Sequence, residues 1–192
     1  YNRLSVMLLA GMALLTFVGC LSKPTTVKFA QKTVVNVITV TEYFDTEEIT
    51  AFPKQAVAKL ESELSNFNVA VVPVSDDSLI SSFAKHRDIK NRIKVIANYQ
   101  QERQKSVPTL FIEAKARYFS QLGGHYRWVV SGRVTLLNTN GEELDSATKE
   151  FSVPVFLKHH HQRENQAIIE ATSSIEEEID ILLYNHIRQL SH

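Results

Sequence analysis

The sequence predicts an α+β (or α/β) fold in which a mixed sheet of about five strands packs against helices. Three observations predict it. The first half carries an apolar strand-like run, a helical stripe and a second short apolar run; the second half alternates apolar and polar residues between glycine turns; and a long amphipathic segment closes the chain.

Residues 33 to 44, TVVNVITVTEYF, are β-branched and apolar on both faces, which suits a central strand. Asp45, Thr46 and Glu48 offer helix-start chemistry and Pro53 suits a first turn. Val57, Leu60, Leu64 and Phe67 then recur at helical spacing, so a helix is expected to end near Asn66. VAVVPV, residues 69 to 74, reads as a short strand, and Pro73 places it at an edge, completing a β-α-β unit. Ser75-Asp76-Asp77 caps a further helical region. Its stripe of Leu79, Ile80, Phe83, Ile89, Ile93 and Ile96 extends to about residue 104.

Leu110, Ile112, Ala114, Ala116 and Tyr118 alternate with Phe111, Glu113, Lys115, Arg117 and Phe119, the pattern of a half-buried strand. Gly123-Gly124 marks a turn, after which Tyr126, Trp128, Val130, Val134 and Leu136 share a face opposite Arg127, Ser131 and Arg133. Asn138 to Gly141 makes the next turn, and a third strand from about Glu142 to Phe156 completes an antiparallel meander. Ser131-Gly132 sits mid-strand, where a small pair fits close packing by another element better than it fits a nucleophile. From Arg163 to Leu190, Ile168, Ile175, Ile179, Leu182, Leu183, Ile187 and Leu190 form one stripe with Glu176, Glu177, Glu178 and Asp180 off it. This long helix is expected to pack on the meander.

The chain has 192 residues, with 21 basic and 21 acidic side chains, 44% hydrophobic and 22% charged residues, which excludes a disordered or fibrous protein. The charge balance gives no global reason to expect nucleic acid as a partner. After residue 20 the glycines are Gly123, Gly124, Gly132 and Gly141, and none forms a phosphate-cradling motif, so no nucleotide and no other cofactor is expected. No GxSxG surrounds a serine and no HExxH occurs, so an enzyme is not expected.

Arg3 precedes an uncharged apolar run from Val6 to Val18, short of the roughly 20 residues of a membrane span. Residues 1–19 are therefore expected to be a signal peptide, and because the chain opens on Tyr1 its true start is expected upstream. Phe17-Val18-Gly19-Cys20 resembles the bacterial lipobox, which implies cleavage between Gly19 and Cys20 and lipidation of Cys20. Cys20 is the sole cysteine, and a lone thiol in an exported protein is explained by such a modification. Polar residues 20–32 read as a lipidated tether, and 33–192 as one envelope domain. By resemblance to enterobacterial sorting, nothing after Cys20 argues for retention at the inner membrane. The expected location is the periplasmic face of the outer membrane of a Gram-negative bacterium.

Two clusters are candidate sites. Lys85, Arg87, Lys90, Arg92 and Lys94 belong to a basic helical stretch that reads as a docking surface for an anionic partner or, preferably, as a solvated helix face. Lys158 to His161 precedes Glu164, and His159 and His161 share a face if extended. With Glu164 they are candidate metal ligands, although a solvated strand-to-helix junction explains them better.

The order of elements, with the hairpin Leu137-Asn138-Thr139-Asn140-Gly141-Glu142, resembles small envelope lipoproteins: the penicillin-binding-protein activators, the curli-secretion channel lipoprotein and the N-terminal domain of TolB. The chain departs from them at Val107-Pro108-Thr109. The resemblance implies a non-catalytic adaptor or assembly factor, held to the membrane by lipid and partnered by another envelope protein. The alternatives are a lipid-transport or lipopolysaccharide-assembly subunit, and a metal-binding protein or hydrolase using the histidine tract.

Overall fold

Strand β1 (Thr33–Tyr43) is the seam of the molecule, with buried residues from Val35 to Tyr43 on both its faces. A computed structural model describes residues 32–103, 107–156 and 163–190; the expected signal peptide and nearly all of the tether lie outside them. β1 runs parallel to β3 (Val69–Val74) and β4 (Thr109–Leu122), with Val37 opposite Pro73 on one side and Leu110 on the other. Parallel neighbours bury a strand between helical layers, which is why its apolar residues do not alternate. β3 is an edge strand, as Pro73 requires. β5 (His125–Leu137) and β6 (Glu143–Phe156) follow β4 as an antiparallel meander.

The sheet has six strands, one more than the sequence suggests. The extra one is β2 (Glu48–Thr50), which pairs antiparallel with the end of β1. It forms where Asp45, Thr46 and Glu48 suggested a helix start. Glu47 takes φ 55° there, turning the chain back onto β1. Helix α1 (Lys54–Ser65) begins only after Pro53, whose extended backbone precedes the first turn. The long basic helical region is also two helices, α2 (Asp77–Lys85) and α3 (Ile89–Glu102). His86 to Asp88 break them, and the Asp88 carboxylate accepts from the Asn91 N–H at 3.0 Å, capping α3.

α1 and helix α4 (Arg163–Leu190) cover one face of the sheet, whose core includes Leu60, Leu64, Leu110, Ile112, Val130, Val134, Ile168 and Ile175. α4 packs on the meander, and its approach is close at Gly132: a Cβ there would lie 2.6 Å from Ile175 Cδ1. α2 and α3 cover part of the other face around Ile38, Val40, Phe83, Ile96, Phe111 and Leu137. The Phe83 and Phe111 rings stand 5.4 Å apart. This second layer changes the reading of β4, whose first half is buried on both faces, Phe111 and Glu113 included. Among the described residues, no helix is long and apolar enough to cross a membrane.

Asp180 is exposed, yet partial desolvation first, then Glu63 on α1 and Glu177 on α4, push its carboxyl up to about 6. A carboxyl raised in the folded state binds more protons than in the unfolded chain between about pH 4 and 6, so stability falls as pH rises through that window. Asp180→Asn is expected to stabilise the protein near pH 7, with the gain shrinking toward about pH 4. Asp180 keeps contact with water, which screens the effect. Urea denaturation at both pH values measures it.

Candidate functional site

The basic stretch does not act as a unit, because one of its members points inward. Arg92 is 1% exposed, and its Nη2 donates to Glu42 Oε2 at 3.1 Å while Nη1 donates to Glu113 Oε1 at 2.7 Å. Its Nε donates to the His86 carbonyl at 2.9 Å. Arg92 is thus no part of a partner surface. Two buried carboxylates from neighbouring strands lie beneath α3, and the planar guanidinium reaches both. Arg87 and Lys115 add to Glu42 from outside, at 3.9 and 3.4 Å. Lys85, Lys90 and Lys94 are exposed on α2 and α3.

Beyond Lys115 the helical cover of this face stops. Arg117, Arg127, Glu150 and Ser152 are exposed, and a shallow depression of about 360 Å³ is lined by Phe44, Lys115, Arg117, Val129, Ser131 and Glu150. The β4–β5 ribbon runs on past the end of β1 to a turn where Gly123 and Gly124 both take positive φ, the geometry of a tight two-residue hairpin. The pairing slips between Tyr118 and Ser120, leaving Phe119 as the bulged residue. Phe119 is 64% exposed, Leu122 62% and Phe44 53%. No Asp or Glu occurs from residue 114 to 141, whereas Lys115, Arg117, Arg127 and Arg133 do. The exposed β4–β5 end of the sheet is therefore apolar and basic at once, with Glu150 of β6 beside it. Sequence patterning shows the acid-free run; it does not show that the helices leave it bare.

No protein-family model matches the chain, and no curated protein matches it. Among solved structures it is similar to lipoprotein GNA1162 from Neisseria meningitidis, at 16% identity over 64% of this chain and 83% of that one, with a TM-score of 0.38. It is also similar to the LpoB C-terminal domain from Salmonella enterica (12%, 63% and 83%, 0.37) and a minor lipoprotein from Acinetobacter baumannii (11%, 78% and 94%, 0.40). These neighbours are lipoproteins of Gram-negative bacteria. At such identities and scores the likenesses carry no functional inference.

On the opposite face, a cleft of about 470 Å³ opens where β1, β2 and the start of α4 meet. Tyr43, Asp45, Glu48, Thr50, Trp128, Glu164 and Asn165 are among its walls. The Tyr43 hydroxyl donates to Asn165 Oδ1 at 3.0 Å, and Asp45 Oδ2 accepts from the Tyr118 N–H at 2.9 Å. Burial, reinforced by the charges of Glu164 and Glu48, pushes the Tyr43 hydroxyl up to about 12, so it stays a neutral donor at physiological pH. Glu164 is the one proposed metal ligand within the described residues. His159 and His161 lie outside them, as do Gly19 and Cys20. Among the described residues, no three His, Cys, Asp or Glu side chains are grouped to hold a metal ion.

Proposed function

We propose that the protein is a membrane-anchored, periplasm-facing lipoprotein of the Gram-negative outer membrane, tethered through acyl chains on Cys20. It works as a non-catalytic adaptor that docks an envelope protein through the bare end of its sheet. The observation that carries the docking role is the exposed group Phe44, Phe119 and Leu122 set among Lys115, Arg117 and Arg127. Large apolar side chains among three cations, with Glu150 as the acid lining the adjoining depression, suit a partner with an apolar patch and a mainly acidic rim. The lipobox-like Phe17 to Cys20 supports the tether, and several acyl chains give a stable anchor where one is marginal.

A photo-cross-linking amino acid at Phe119 is expected to trap one envelope protein in cells, identified by mass spectrometry. Arg117→Glu with Leu122→Ser should abolish the adduct while changing folding stability by no more than about 0.5 kcal/mol, because both side chains are exposed. Failure to trap any envelope protein would refute the docking role. The tether is tested separately by the mass of the N-terminus in wild type and Cys20→Ser.

A further inference from the structure

The cleft at the start of α4 has a chemistry that docking does not use. Asp45, Glu48 and Glu164 line it, and no cationic side chain does among the described residues. Tyr43 and Trp128 supply aromatic wall on the same side of the sheet. The carboxylates do not converge as metal ligands would; they are spread around a space of about 470 Å³, which suits an organic group better than a bare ion.

A second observation is independent of the charges. Trp128 is 3% exposed and its indole Nε1 has no hydrogen-bond partner. A buried N–H without an acceptor is costly and uncommon in a finished interior. Here the indole belongs to the wall of a cleft, where a bound molecule would bring the acceptor.

We propose that this cleft binds a small organic cation, a primary ammonium carried close to a hydroxyl or carbonyl oxygen. The ammonium sits among Glu48, Glu164 and Asp45 against the aromatic rings, which attract cations through their faces. The oxygen accepts from Trp128 Nε1 after a small turn of the indole. Amino sugars, ethanolamine headgroups and free amino acids share this chemistry.

Trp128 is the only tryptophan in the chain, so its emission reports the cleft directly. The full chain is titrated with glucosamine, ethanolamine and lysine, reading tryptophan fluorescence and, in parallel, calorimetric heat. At least one amine is expected to bind saturably, and which one binds identifies the source. Its N-acetylated counterpart, and the Glu48→Gln/Glu164→Gln double variant with wild-type circular dichroism, should each bind roughly tenfold more weakly or worse. Trp128→Phe, read by calorimetry, should bind more weakly because the donor is gone. Glu61→Gln on α1, which does not line the cleft, should bind as wild type. Silence in both readouts for all three amines overturns the proposal, as does equal binding of the N-acetylated form or of the double variant.

Discussion

Arg92→Met is expected to lower the unfolding free energy by about 3–5 kcal/mol, because it leaves two buried carboxylates without their shared cation. The loss should not divide evenly. Glu42 keeps Lys115 at 3.4 Å, whereas among the described residues Arg92 is the cation paired with Glu113. Adding Glu113→Gln to Arg92→Met should therefore restore more stability than adding Glu42→Gln. Lys90→Met, on the exposed side of the same helix, should change stability by no more than about 0.5 kcal/mol. Urea denaturation of these four variants beside the wild type decides this. A loss below about 1 kcal/mol for Arg92→Met would mean that water reaches the cluster and that the ion pairs are of the weak surface kind.

Gly141→Ala should cost about 2–5 kcal/mol, the sum of left-handed backbone strain and overpacking. Gly141 has φ 80°, and a Cβ there would lie 2.6 Å from Ala97 Cβ and 2.8 Å from Ala97 Cα. The backbone of α3 cannot yield as a flexible side chain would. Gly124 has φ 78° with nothing near its missing Cβ, so Gly124→Ala isolates the strain alone and should cost about 1–2 kcal/mol. Equal thermal shifts for the two variants would show that the contact with α3 contributes nothing.

The elements that repeat one period for long enough were legible from sequence. α4 keeps one buried apolar stripe from Ile168 to Leu183, and β4 to β6 are punctuated by Gly123-Gly124 and Gly141, whose φ values are those such turns need. β2 was not legible because three residues set no period, and the acids around it favour helix starts as readily as turns. The break at Asp88 was hidden because Ile89, Ile93 and Ile96 continue the stripe of α2 closely enough to read as one helix. Arg92 was lost for a different reason. In a run of like charges, nothing local marks the one cation that has buried carboxylates waiting at Glu42 and Glu113, on strands remote in the chain. The cleft shares that difficulty: Tyr43, Trp128 and Glu164 come from three separate elements, and Trp128 reads as one more apolar residue on its stripe.

The parallel neighbours of β1 set an order in time. Both β3 and β4 are made after it, and the connection back to β4 passes through β2, α1, β3, α2 and α3. Such long-range pairings close slowly, whereas the β4–β5–β6 meander closes through adjacent turns. Pulse-labelled hydrogen exchange is expected to protect amides of β4 to β6 before those of β1, and simultaneous protection would contradict it. The half of the chain made last is then expected to be the half that folds first. A nascent chain in this order holds its first strand open until its end has been made.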